Sequence, residues 1–258
     1  MHEIRLYDSL SGELVPVSAG DAIRVEVRST PTGLEGSVDV ESTRPLVLFS
    51  FLERFLQREG FGTKFLFDSP SSEDTMYELC EESELLGSAD SSEDLDTEMS
   101  LLEVSRSDVE HWVNLCFGGG RDGEEWEHLP RGEQITLTDA LKEFGHPAVA
   151  MYLLGTHYSL PLGDAFTGLR IGSRHVQRLR EVLGTLEPDE PSPPDMHHHV
   201  EAFYEALADD LDTPHAFLAL FEWVLEAERR GGGVGDDDLR IMLEVFELDD
   251  LATSVQAP

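Results

Sequence analysis

Pro45 heads an apolar stripe of Leu46, Phe49, Leu52 and Leu56 that lies between two segments of strand character, and this arrangement commits the first part of the chain to an α/β fold. Proline is tolerated in the first turn of a helix, where its missing N–H has no partner to lose. Gly60 and Gly62 then end the helical pattern. Before the stripe, residues 2–28 alternate well enough for two or three strands, with Ser9-Leu10-Ser11-Gly12 as a hairpin turn; after it, Thr63 to Phe67 reads as a buried strand. Strand, helix and strand in that order form a parallel unit, the building block of nucleotide-binding α/β folds.

At Ser69 the composition changes. From there to Ser100 the chain is rich in Ser, Glu and Asp with few aromatics, which predicts a mobile loop with a helical turn near Met76 to Cys80. Asp108 to Phe117 is apolar again, and Thr136 with Asp139 three residues on has the form of a capping box. Ala148, Met151, Tyr152 and Leu154 continue as a packed helix, and further helices are expected at about 163–184, 197–210, 214–229 and 236–247. Thr213-Pro214 reads as an N-cap hydroxyl followed by proline at the first helical position. Glu187 to Pro194 is a proline-rich linker, and Gly231-Gly232-Gly233 breaks the last two helices.

The charge balance bears on habitat. Fifty-three acidic residues against eighteen basic ones give a net charge of −35, and only Lys64 and Lys142 among the basic residues are lysines. Carboxylates this dense repel one another unless salt screens them, which molar salt does over about 3 Å. The pattern fits a cytoplasmic protein of an extreme halophile; the alternative is an acidic surface that holds a basic partner. No segment has the character of a signal peptide, and no apolar run approaches the roughly 18 residues of a membrane span. Cys80 and Cys116 are too few for a disulfide framework and read as ordinary thiols of a reducing compartment.

Four stretches resemble the cysteinyl-tRNA synthetase family. They are GEQITLTDALKEFGHPAVAMYLLGTHYSLPL (Gly132 to Leu162), FYEALADDLDTPHAFLALFEWVLEA from Phe203, RLYDSLSGELVPV (Arg5 to Val17) and TRPLVLFSFLERFLQREGFGTKFLF (Thr43 to Phe67). The Thr-His-Tyr and Ala-Asp-Asp-Leu-Asp-Thr-Pro runs are the most specific. The resemblance implies an α/β fold in which a reduced Rossmann-like N-terminal domain over 1–135, with an acidic loop at about 69–100, is followed by a helical junction over 136–186 and an all-α helical bundle over 195–250. It implies that the acidic loop replaces a longer insertion, and that the anticodon-reading domain has no counterpart after Leu251.

The family activates cysteine with ATP through a HIGH tetrapeptide and a KMSKS loop. Counted back from Thr43-Arg44-Pro45, the first motif falls on Asp39-Val40-Glu41-Ser42, where two carboxylates replace a histidine and a glycine. Counted back from Ile135-Thr136-Leu137, the second falls on about Trp126 to Pro130, which contains no lysine, with Arg131 the one cation nearby. The family's first zinc-ligand cysteine corresponds to Ser29 or Thr30, and neither supplies a thiolate. The expectation is therefore a non-catalytic paralogue with no catalytic residue, no cofactor and no metal. Its partner is expected to be a tRNA or a translation-related protein. The alternatives are an adenylate-forming amino-acid ligase and a residual cysteine-tRNA ligase completed by a partner subunit.

Other residues carry competing readings. Asp39, Glu41, His157 and Tyr158 are candidates for a remnant nucleotide pocket, although His157 and Tyr158 could equally pack the helix junction. Arg170, Arg174 and Arg178 recur at i, i+4 and i+8, with no acid from Phe166 to Leu179, and either contact RNA phosphates or pair with carboxylates of neighbouring helices. His197, His198 and His199 point about 100° apart on a helix and are read as a solvated helix start, with His197 and Glu201 the ligand-spaced pair. Gly118, Gly120 and Gly123 satisfy GxGxxG without the strand-to-helix context and read as a turn. His111 and Cys116 lack the second pair that a soft metal site needs.

Overall fold

A computed structural model describes residues 3–18, 21–27, 33–34, 37–61, 64–68, 112–117, 134–248 and 251. Ser29, Thr30, residues 69–100, His111, Gly118 to Gly123 and Trp126 to Arg131, on which several sequence readings fall, lie outside them.

Strands β1 (Arg5–Asp8) and β2 (Glu13–Pro16) form an antiparallel hairpin. The turn is set by Asp8, whose Oδ1 accepts the backbone N–H groups of Leu10 at 2.7 Å and Ser11 at 3.1 Å. Strand β3 (Ala22–Val27) is followed by a two-residue pair, β4 (Gly33–Leu34) and β5 (Ser37–Val38), then by helix α1 (Arg44–Arg58) and strand β6 (Lys64–Asp68). With β7 (Trp112–Phe117) these make a three-stranded parallel sheet of order β6-β3-β7. The expected β-α-β unit is present as β3, α1 and β6, and β3 is the central strand of the sheet. Helix α1 turns a face slightly rotated from the expected stripe into the core: Leu48, Phe51, Leu52, Phe55 and Leu56 are buried, while Leu46 and Phe49 are half-buried.

The rest of the described chain is helical: α2 (Leu137–Phe144), α3 (His146–Leu154), α4 (Ala165–Leu183), α5 (His198–Ala208), α6 (Thr213–Arg230) and α7 (Asp237–Val245). Thr136 caps α2 as its spacing predicts, accepting the Asp139 N–H at 3.1 Å. At α6 the cap is Asp212 rather than Thr213, because the Thr213 hydroxyl is drawn 2.5 Å to the carbonyl of Leu154 and Asp212 Oδ1 accepts the His215 N–H instead. Gly231 ends α6 in the left-handed conformation, at φ 69°.

One hydrophobic cluster runs from the sheet residues Ile23, Val25 and Leu115 through α1 to Phe203, Trp223 and Leu243 of the helices. Within it Phe246 is stacked on Phe51 at 5.4 Å and on Phe217 at 4.1 Å, with the Phe203 ring edge-on at 5.3 Å. A second cluster joins Val40, Ile135, Leu137, Val149, Tyr152, Leu153 and Leu169. Helices α3 and α4 come together because Gly172 has no side chain: a Cβ there would lie 2.6 Å from the carbonyl oxygen of Ala148. No described helix is long and apolar enough to cross a membrane.

Candidate functional site

The segment Asp39 to Ser42 enters α1 through a short 3-10 turn, Val40–Thr43. Asp39 is 2% exposed and bridges antiparallel to Thr136, and the Val40 N–H donates to Ile135 O at 3.1 Å. The Tyr152 hydroxyl stands 2.9 Å from Glu41 Oε1 and 3.0 Å from Gly163 O, so one proton faces two acceptors. Burial first, then the Glu41 carboxylate, holds the Tyr152 hydroxyl well above the usual tyrosine range.

Arg44 is the centre of this region, and nothing in its sequence context announces it. It is 4% exposed, and its guanidinium donates to four carbonyls: Leu153 at 3.0 Å, Leu160 at 2.7 Å, Thr156 at 2.5 Å and His157 at 3.0 Å. The fork geometry of arginine lets one side chain satisfy the end of α3 and the turn that follows it. Burial lowers the Arg44 pKa to about 10 against the pull of Tyr152 and Glu41, which leaves it charged at neutral pH.

His157 and Tyr158 face a different node. The Tyr158 hydroxyl donates to Asp210 Oδ1 at 2.6 Å, and the same oxygen accepts the Tyr7 N–H at 2.7 Å. His157 Nε2 lies 2.9 Å from the carbonyl of Asp210, which can only accept, so Nε2 carries the proton. Nδ1 is then the acceptor for Ser159, whose Oγ and N lie 2.8 and 3.3 Å away. The two most specific runs of the sequence, Thr-His-Tyr and Ala-Asp-Asp-Leu-Asp-Thr-Pro, thus touch each other. The four proposed pocket residues are split between two nodes joined by Arg44: Asp39 and Glu41 beside Thr136 and Tyr152, His157 and Tyr158 beside Asp210. Next to Thr136 a shallow surface depression of about 640 Å³ is lined by Gln134, Ile135, Asp139, Lys142, Glu143 and Phe166.

The arginine stripe lies along α4. Arg170 and Arg174 are exposed. Arg178 instead pairs with Glu228 of α6 through Nε at 2.9 Å and a second nitrogen at 2.5 Å. That contact raises the Arg178 pKa and lowers that of Glu228.

The histidine run behaves differently from the sequence expectation. His197 turns to Asp238 at 3.2 Å, but His198 and His199 both approach Glu226 of α6, with one ligand-type atom from each of the three within 4.8 Å of the others. The convergence needs a residue 27 positions on from His199, which the spacing on one helix could not reveal.

Comparison with known proteins agrees with the resemblance. No protein-family model matches the chain. A cysteine–tRNA ligase of Alkalilimnicola ehrlichii is 34% identical over 131 residues, 50% of this chain and 27% of that protein. The enzyme of Hydrogenovibrio crunogenus is 31% identical over 134 residues, 50% of the chain and 29% of the relative, and that of Thermus thermophilus is 35% identical over 107 residues, 38% and 22%. Among solved structures, a leucyl-tRNA synthetase from Agrobacterium radiobacter K84 in a ternary complex is similar with a TM-score of 0.39 and 17% identity, covering 56% of this chain and 22% of that one. About half of the chain is similar to aminoacyl-tRNA ligases. The similarity is to cysteine–tRNA ligases, at about 30% identity over half of the chain, and the chain spans under a third of the length of those proteins.

Proposed function

We propose that this chain is a cysteine–tRNA ligase-like protein that forms no aminoacyl adenylate and binds a tRNA through the exposed arginines of α4. Its architecture in this reading is a reduced Rossmann-like domain over 1–135, a helical junction over 136–186 and an all-α bundle over 195–250. Its setting is a salt-rich cytoplasm.

The supporting observation is the state of Asp39 to Ser42. Where the ATP-binding motif of a synthetase needs groups that attract phosphate, Asp39 is buried against Thr136 and the Glu41 carboxylate is held by the Tyr152 hydroxyl. Two carboxylates there repel a triphosphate, and interactions that oppose the transition state cannot accelerate its formation. The buried network of Arg44, Tyr158 and Asp210 serves packing between the sheet, the α3 turn and the bundle, so it can persist without catalysis.

The binding half of the reading rests on Arg170 and Arg174, which stand exposed on an acid-free stretch of an otherwise acidic chain. An electrophoretic shift with host tRNA, stepped from about 0.5 to about 3 M potassium chloride, tests it. The double variant Arg170→Glu, Arg174→Glu is expected to abolish the shift, while Arg178→Glu, whose guanidinium is already engaged by Glu228, weakens it less. Unchanged binding in the double variant, or recovery of a translation protein instead of RNA from the native host, overturns the RNA reading.

A further inference from the structure

We propose that His198, His199 and Glu226 form a binding site for a borderline-soft divalent metal ion, zinc being the type. It owes nothing to the segment where the relatives' zinc would be sought, and it stands whether or not the chain binds RNA.

Three observations carry it. His199 Nε2 lies 3.1 Å from Glu226 Oε2. Two ligands each about 2.1 Å from one ion, at angles between a right angle and the tetrahedral value, stand roughly 3.0 to 3.4 Å apart, so this pair is already spaced as ligands. His198 Nδ1 lies 2.8 Å from the backbone carbonyl of Asp195. A carbonyl only accepts, so the proton is on Nδ1 and the neutral ring presents a bare Nε2 lone pair, the arrangement by which metal-bound imidazoles are oriented. Glu226 is held by its other oxygen: Arg230 donates to Oε1 at 2.5 Å and grips Asp195 through contacts of 3.1 and 2.7 Å. Arg230 thereby leaves Oε2 as the carboxylate oxygen on the histidine side.

The charges are compatible with a cation. Asp195 and Glu226 outweigh Arg230 by one negative charge, which offsets the positive end of α5 beside His198, the first residue of that helix. The two imidazole rings lie side by side, 3.9 Å apart between centroids. Two imidazoles and one carboxylate select zinc, cobalt or nickel over magnesium or calcium, which prefer oxygen. Three protein ligands leave at least one position for water on the exposed side of His198.

The test titrates cobalt chloride into the full chain in about 3 M potassium chloride, where diffuse binding to surface carboxylates is screened, and follows the visible d–d bands. The expected result is one cobalt per chain, displaced by one equivalent of zinc chloride and not by excess magnesium. His198→Ala, an exposed position, and Glu226→Gln are each expected to weaken binding by about tenfold or more. Absence of a saturable spectrum overturns the proposal. So does binding that both variants retain at wild-type strength, which would assign the metal to other histidines or to the acidic surface. A circular dichroism spectrum of each variant at the titration salt verifies that the comparison is between folded proteins.

Discussion

Tyr158 donates its hydroxyl to Asp210 Oδ1 across 2.6 Å, bolting the turn after α3 onto the turn between α5 and α6, 52 residues along the chain. Asp210 holds the joint from both sides, because its N–H donates to Arg5 O at 2.8 Å while its carboxylate accepts the Tyr7 N–H. Strand β1, the α3 turn and the turn between α5 and α6 are thereby fixed at one residue. Asp210 adopts φ 61°, a left-handed conformation that aspartate tolerates better than most residues.

Tyr158→Phe is therefore expected to lower stability by about 1.5–3 kcal/mol, the range for a hydrogen bond to a charged group. Asp210→Ala is expected to cost more, since it strands the Tyr158 hydroxyl and the Tyr7 N–H together and places alanine at a positive φ. Urea midpoints at constant molar salt check the order of the two.

Arg44→Met removes the guanidinium from the carbonyls of Leu153, Thr156 and Leu160, and from that of His157, which keeps the Leu160 N–H at 2.9 Å, and is expected to cost at least about 3 kcal/mol. Arg44→Lys should rescue little, because one ammonium cannot span carbonyls that the guanidinium reaches through three nitrogens. Hydrogen exchange localised to 153–160 would separate local loosening from global unfolding.

Gly172→Ala is expected to force α3 and α4 apart and to destabilise by about 1–3 kcal/mol, since the obstacle is the backbone of Ala148 rather than a movable side chain. Gly163→Ala, with nothing within 4 Å of the new methyl, serves as the neutral control. Thermal midpoints of the pair give the comparison.

The Tyr152 hydroxyl supplies an alkaline signature. Its folded pKa lies above the ordinary 10.0, so its contribution is full below pH 10.0 and is lost as pH rises above it, where only the unfolded chain gives up the proton. The loss is at most about 1.4 kcal/mol per pH unit. Tyr152→Phe should remove this component from a denaturation series between about pH 9 and 11.5; an unchanged slope would place the ionisation elsewhere.

Local signals make much of the fold readable. The hairpin turn, the Pro45 helix start, the Thr136 cap and the last four helices each depend on residues within a few positions of one another, and they occur within a few residues of their expected bounds. The α1 stripe is misphased by the choice of Leu46 and Phe49, because which face of an apolar helix is inward depends on the sheet beneath it. Thr213 reads as the cap of α6 and is not, because its hydroxyl is claimed by Leu154, 59 residues away. The candidate site is less legible for the same reason. Arg44 finds its acceptors 109 to 116 positions on, and His198 and His199 meet a third ligand from another helix. Arg178 shows no sign in sequence of its preference for Glu228.

We propose that this chain, with Asp39 and Glu41 at the helix entry of α1, forms no aminoacyl adenylate. Cysteine-dependent exchange of pyrophosphate into ATP, measured with magnesium in about 3 M potassium chloride, tests it most directly. No exchange above a blank without amino acid is expected in the wild type. A cysteine-dependent rate in the wild type would contradict it.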